Sequence, residues 1–555
     1  MRTLAGVVGP AAAVLVFQLV AFPVPLEVSL QGVVLGLLNA MVVLGLTLVY
    51  RANRVVNLAQ ASIGTFPAAL AGGIVLFGGT TLVATGALAL GAGLVVLLGA
   101  LTVLRLRPAP AVLVAVVAGA LCAAGLQVAE PLGWTGGLGV GLVTAVLVGI
   151  GVDAIVIRRL RTSPRLVVTV ATIGLAQLFA ILSLLTPRLW GHVALVDTTG
   201  GSRTGFDVPG DLSVTVGSTV FGSAELLAVA VSLLCIAVVT AALRATDVGI
   251  AVRAAADSGD RALMLGVPVP RLEAGVWVVA SVLAFVATYL QAGILGLELT
   301  AGVGLRVMVA ALGAMTLGGF VSLPSMLLAA VSIGVLTQAT GPAGGHGLTV
   351  TDAVLAGVVI LGLLVRRSST RRSDRDTTSS WQVAAEPRAL PFELRRRVGL
   401  RGLRVAGVLA VVGIAAALPL VLGESDVLRG STLIALILVA LSVVVLTGWT
   451  GEVTLGQMSF AATGATVAAV TTLEWRFDFT LALLAAGSAA ALVAVLVALP
   501  SLRWQGIFLA VTTLAFALAA TNYLLNPTVA TWIPTEDVAR RPLLGVWDLS
   551  GRTAM

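Results

Sequence analysis

Lysine is absent from this 555-residue chain, and all 33 basic side chains are arginines. That excludes a P-loop lysine, a Schiff-base lysine and a pyridoxal site within the chain. Histidine occurs twice, at His192 and His346, and cysteine twice, at Cys122 and Cys235. No CxxC or HExxH is present, so nothing offers a zinc site, and no catalytic residue is expected. Both cysteines lie in apolar runs at helical spacing and read as lipid- or core-facing thiols, not as a disulfide. Charge is scarce too, at 10% of residues against about a quarter in soluble domains. What remains is apolar: 58% of residues are hydrophobic, with a mean hydropathy of +1.08. Such a chain cannot cover itself with polar surface, so its length measures membrane spans. The fold class expected is an all-α, polytopic transmembrane bundle.

The net charge of +8 is concentrated in one place. Residues 366–404 carry eleven arginines against Asp374, Asp376, Glu386 and Glu393. This Ser/Thr-rich stretch reads as a solvated cytoplasmic linker between a first domain, 1–365, and a second, 405–555. Attraction to anionic lipid accounts for its charge, and nothing suggests nucleic-acid binding.

Apolar runs occur near 4–21, 29–50, 58–77, 81–104, 111–128, 138–157, 166–186, 224–243, 273–293, 303–320, 324–341 and 351–365. Further runs follow the linker, near 405–422, 431–449, 453–472, 480–500 and 508–525. Several, 58–77 among them, are short enough to be re-entrant or broken. With the N-terminus inside, thirteen arginines fall on one side: Arg2, those of the turns at 51–54, 105–107 and 158–165, and Arg244, Arg253, Arg261 and Arg271. Arg188 and Arg203 fall on the other, where 187–223 and 526–555 form the largest loops. This asymmetry fixes the expected orientation. His192 and His346 then lie in external loops, with no assigned role.

The chain also repeats itself. Asn57-Leu58-Ala59-Gln60-Ala61-Ser62-Ile63 matches Thr454-Leu455-Gly456-Gln457-Met458-Ser459-Phe460 at an offset of 397 residues. Val170-Ala171-Thr172-Ile173-Gly174 matches Val511-Thr512-Thr513-Leu514-Ala515 at an offset of 341. The offsets differ by 56 residues, about one membrane hairpin, and the first half carries an additional apolar pair at 81–128.

The stretch Leu35 to Tyr50, with Val55-Val56-Asn57-Leu58-Ala59-Gln60, resembles the opening of one permease subunit of branched-chain amino acid ABC importers. Leu446-Thr447-Gly448-Trp449-Thr450-Gly451-Glu452-Val453-Thr454-Leu455-Gly456-Gln457 resembles the sister subunit. The chain thus looks like two permeases fused in order. The resemblance implies a multi-pass protein of a bacterial plasma membrane that moves branched-chain or other hydrophobic amino acids inward. Urea and short-amide permeases share these motifs and remain an alternative. It further implies no cofactor in this chain, ATP and Mg on separate ABC ATPase subunits, and an extracytoplasmic binding protein that delivers the substrate.

The loop Thr246 to Arg271 can form short helices at Val248–Ala256 and Asp260–Leu265, stopped at Gly266-Val267-Pro268. A connecting loop with incidental helicity is the plain alternative. The resemblance makes it the coupling segment that seats on an ATPase, through Gly249, Arg253, Ala254, Ala255, Ala256, Asp257 and Gly266. It departs from the wider importer motif in having Arg253 where a Glu would precede the alanines. Candidate pathway residues are the uncharged polar side chains within spans: Asn39, Asn57, Gln60, Ser62, Thr172, Gln177, Gln457, Ser459 and Thr513. Such groups also bond across packed helices as plain glue. Glu452 reads as a turn or helix-start acid.

A secondary transporter would need an ion or proton site, yet Asp153 and Glu273 lie near inner ends and Glu225 and Glu298 near outer ones. A membrane glycosyltransferase would need acidic or His clusters at an interface, and none is found. By the repeat, the second domain lacks its C-terminal spans and its own coupling loop, and about 180 further residues are expected in a complete permease.

Overall fold

A computed structural model of the chain describes residues 2–78, 82–103, 106–191 apart from 162 and 164, 208–296 apart from 258, 301–319, 322–341, 347–365, 423–450, 454–499 and 507–536, with single positions at 402–417 and 538. The linker 366–404 lies outside these apart from Gly402, as do His192, His346, Glu298, Glu452 and most of the run 405–422.

The first half is a succession of helices: α1 (Arg2–Ala21), α2 (Leu26–Asn53), α3 (Gln60–Phe77), α4 (Leu82–Thr102), α5 (Pro108–Ala129), α6 (Gly133–Gly151), α7 (Arg165–Leu185), α8 (Ser223–Ala245), α9 (Asp247–Asp257), α10 (Gly259–Met264), α11 (Val269–Leu295), α12 (Ala301–Gly318), α13 (Leu323–Thr340) and α14 (Gly347–Val365). A two-stranded hairpin, β1 (Val214–Val216) and β2 (Thr219–Phe221), precedes α8, with Thr215 opposite Val220. After the linker come α15 (Glu424–Val445), α16 (Gln457–Leu473), α17 (Phe479–Ala498) and α18 (Ile507–Ala519). Among the described residues, eleven helices are long and apolar enough to cross a membrane, with shorter apolar helices besides. This is a polytopic helical bundle and a multi-pass membrane protein.

The chain divides into two compact units, Met1–Thr351 and Asp352–Met555. In the first, α2 is the central helix. It starts after Pro25, carries Glu27 in its first turn and Arg51 in its last, and so has each charge at the dipole end that favours it. Every side chain from Ala40 to Val49 is buried, against α13, α11, α8 and α12. Close approach to α13 depends on small residues, since a Cβ at Gly36 would lie 2.7 Å from the Cα of Val331. Trp277, Phe285 and Tyr289 of α11 fill the centre, and the Tyr289 hydroxyl donates to the carbonyl of Trp134 at 2.8 Å. Cys122 and Cys235 are both free thiols, and Cys122 packs on Ile74, Leu126 and Ala129.

Side-chain contacts sort the two ends of this unit. At one end the arginine-bearing turns meet the loop between α8 and α11: Arg54 reaches Ala256, Arg158 reaches Pro270, and Arg161 pairs with Glu273 at 3.3 Å. At the other, Ser218 of the hairpin donates to Glu27 at 2.8 Å, and Trp190 donates to the carbonyl of Gly78. The alternation on which the arginine count relied is therefore present in the packing.

Candidate functional site

The chain between α2 and α3 is not helical, and its polar groups are buried. Asn57 and Gln60 are wholly inaccessible. Asn57 donates from Nδ2 to Gln60 Oε1 at 2.9 Å, and its Oδ1 accepts the backbone N–H of Ala59 at 3.1 Å. Gln60 Nε2 donates to the carbonyl of Ala280 in α11 at 2.9 Å. Leu58 N–H donates to Thr172 Oγ1 of α7 at 3.1 Å. A non-helical backbone buried among apolar helices must find partners for its freed groups, and these side chains supply them. Three of the expected pathway residues, Asn57, Gln60 and Thr172, thus converge on one turn, tying α3 to α7 and α11.

The second unit rebuilds the same turn. Leu455 N–H donates to Thr513 Oγ1 at 3.0 Å, and Gly456 N–H donates to Thr454 Oγ1 at 3.4 Å. Leu455 and Thr513 are the repeat equivalents of Leu58 and Thr172, so one hydrogen bond joins the two sequence matches in each half. Their differing offsets are explained as well. In the first unit α3 packs on α6 and α7, with α4 and α5 intervening in sequence; in the second, α16 packs directly on α17 and α18. The glutamines differ in one respect. A Cβ at Gly45 would lie 2.5 Å from Gln60 Nε2, so glycine leaves the amide room to reach α11. The equivalent position is Ser442, whose hydroxyl accepts from Gln457 Nε2 at 2.7 Å.

The remaining pathway candidates are dispersed. Ser62 is buried facing Gly304, where a Cβ would sit 2.9 Å from its Oγ, and Ser459 is buried in α16. Gln177 is exposed on α7. Asn39, midway along α2, has a buried Oδ1 with no hydrogen-bond partner. Among the residues converging on the turns, hydrogen-bonding capacity is largely spent inside the protein; Asn39 retains a free acceptor.

The loop Thr246–Arg271 is folded. Thr246 Oγ1 caps α9 by accepting the Gly249 N–H at 3.1 Å. Gly249 is buried in the elbow with α8, where a Cβ would lie 2.6 Å from the carbonyl of Leu243. Ala255, Ala262 and Val269 form a small core joining α9, α10 and α11, and Gly266, at φ +84°, turns the chain out of α10. Arg253 and Ala254 are exposed, whereas the Asp257 side chain lies outside the described set. Exposed apolar residues crowd this one loop: Val248, Ile250, Leu263, Met264 and Leu265, the last two more than 80% accessible.

Over residues 109–364 and 429–543 the chain matches the sequence pattern of the branched-chain amino acid transport system permease component. These segments make up more than half of its length, one in each half. The chain belongs to this family. A match in two separate segments is consistent with fused permease domains. No curated protein and no solved structure matches it. The first matched segment begins in α5, so the turn at Asn57–Gln60 lies ahead of it, whereas the repeat counterpart at Thr454–Gln457 lies within the second.

Sequence reasoning gave Asp153 and Arg158 no role in the site, and it did not single out Asp352 or Asn522. Asp153, in the π-helical turn Val152–Ile157 that extends α6, accepts from Arg158 Nε at 3.1 Å. Arg158 also donates to the carbonyls of Thr102 and Pro270. Asp352, fully buried in α14, accepts from Asn522 Nδ2 at 2.6 Å within the second unit. A carboxylate within an apolar run was the available signal for Asp352, while its partner, 170 residues away, had none.

Proposed function

We propose that this permease is the translocating component of an ATP-driven importer of branched-chain and other hydrophobic amino acids in a bacterial plasma membrane. ATP and Mg are handled by separate ATPase subunits, and a binding protein delivers the cargo from outside. The chain itself performs no covalent chemistry.

The observation that carries this reading is the folded α9–α10 loop at the arginine-rich end, with Val248, Ile250, Met264 and Leu265 exposed. Short helices presenting apolar side chains beyond the membrane spans suit a groove on a partner protein. Gly249, Ala254 and Ala255 keep α9 slim, and Arg253 places a charge on its exposed surface. In this reading, movement of the ATPases is delivered through α9 to the spans. The polar groups at Asn39, Asn57, Gln60, Ser62, Thr172, Gln177, Gln457, Ser459 and Thr513 line or shape the path. Most are bonded within the protein and shape the path by holding the helices, whereas Asn39, with a free Oδ1, is placed to accept from an ammonium or an amide.

The test is reconstitution in liposomes with the cognate ATPase subunits and binding protein. ATP-dependent accumulation of labelled leucine, competed by isoleucine and not by urea, is the expected result. Accumulation of urea or a short amide in its place would transfer the assignment to that substrate class. Uptake driven by a proton or sodium gradient without ATP would overturn the importer reading.

A further inference from the structure

Arg54 closes α2 in the left-handed region, with φ 54° and ψ 26°. Among the described residues, only Arg54 and Arg476 combine a side chain with positive φ. The conformation is unfavourable for an L-amino acid and natural for glycine. At the repeat offset of 397, the counterpart of Arg54 is Gly451. In sequence, the second half carries glycine at this position and the first half a long cation. An arginine in this conformation carries a local cost, which directs attention to what its side chain meets.

Its guanidinium shows the task. Arg54 Nη2 donates to the carbonyl of Ala256 at 2.9 Å, across 202 residues of sequence. Ala256 lies in the last turn of α9, where carbonyls have no partner within the helix and the dipole favours a cation. Three residues after Arg54 comes Asn57, the start of the buried turn bonded to Gln60, Ala280 and Thr172. Val55 and Val56, between them, are buried and leave little slack. At the far end of the same loop, Pro270 is held by Arg158, itself braced by Asp153 and the carbonyl of Thr102. The loop is therefore anchored at Pro270 to Arg158, beside α4 and α6, and is bonded in its middle, at Ala256, to the C-terminal end of α2.

We propose that Arg54 is a positioning residue that couples α9 to the Asn57–Gln60 turn. Displacement of α9 pulls the guanidinium, the bend at residue 54 moves with it, and the turn that joins α3, α7 and α11 follows. The proposal rests on reading α9 as the ATPase-docking helix, and it goes further in naming the connection within the permease. A discrete hydrogen bond between two rigid elements is the physical warrant.

The experiment compares wild type with Arg54→Gly and Arg54→Asn, each assembled with the ATPase subunits in nanodiscs. Glycine and asparagine both accept the left-handed bend and neither reaches Ala256. Hydrogen–deuterium exchange is followed over residues 55–60, with and without vanadate-trapped ATP. In wild type, trapping is expected to change the exchange of this segment by about tenfold or more. In both variants the change should fall to about twofold or less, with ATPase co-purification and basal hydrolysis retained. A wild-type-sized change in either variant would overturn the proposal. So would loss of the ATPase from both, because Arg54 would then serve only to shape the docking surface. Wild-type protein that binds no ATPase would bring down the docking reading of α9 and this coupling together, which the co-purification control separates from failure of the tether alone.

Discussion

Thr172 Oγ1 accepts the backbone N–H of Leu58 at 3.1 Å, and the same bond recurs between Leu455 and Thr513 at 3.0 Å in the second unit. In each case a backbone amide just ahead of a helix, α3 or α16, is satisfied by a threonine of a neighbouring helix, α7 or α18. The duplication is thus a repeated solution to one problem, that of a polar backbone in a dry environment.

Removing either acceptor should be costly. Thr172→Val leaves a buried N–H unpaired, which costs about 1–3 kcal/mol, and Thr513→Val a half-buried one, which costs less. Thermal unfolding of the purified protein is expected to shift down by several degrees for either valine variant. The corresponding serine variants, which keep the hydroxyl, should stay close to wild type. A loss in the serine variants with none in the valine variants would assign the effect to the methyl group's packing.

The two glutamines respond to opposite changes. Gly45→Ala places a methyl 2.5 Å from Gln60 Nε2 and should break its bond to Ala280. Ser442→Gly removes the acceptor of Gln457. Each is expected to lower stability by about 1 kcal/mol, the net worth of a buried hydrogen bond. Chemical denaturation monitored by intrinsic fluorescence would measure both, and tolerance of Gly45→Ala would mean that Gln60 has a second place to go.

In the α9–α10 loop, Arg253→Glu reverses an exposed charge, and Gly266→Val forces a β-branched residue to φ +84°. The valine costs about 1–2 kcal/mol locally and should disorganise the Ala255–Ala262–Val269 cluster. Leucine uptake should fall at least about tenfold in both, with expression and membrane insertion retained; a tenfold loss corresponds to 1.4 kcal/mol of coupling. Normal uptake by both variants would remove the loop from the coupling path.

Orientation can be read with single cysteines in a Cys122→Ser, Cys235→Ser background. Leu212→Cys, near the hairpin, should react with an impermeant maleimide in intact cells. Leu265→Cys, on the α10 side, should react only after permeabilisation. Both positions are highly exposed, so silence cannot be blamed on burial. The reverse pattern would invert the topology drawn from the arginines.

Membrane class, helix positions, the duplication and the family resemblance were legible in the residues themselves. The physical reason is that a bilayer imposes a long, contiguous requirement: about 20 apolar residues per crossing, with arginine retained on one side. The Asn57–Gln60 turn and its Thr172 partner could also be singled out, since polar residues among apolar ones stand out locally. Which groups those residues bond could not be read. Gln60 meets the carbonyl of Ala280, Arg54 that of Ala256, and Asp352 the amide of Asn522. Two of these three partners are backbone carbonyls, which every residue carries and no sequence pattern marks. Only the packing of α11 against α2 and α3, and of α9 beneath α2, decided which carbonyl lies within 3 Å of which side chain.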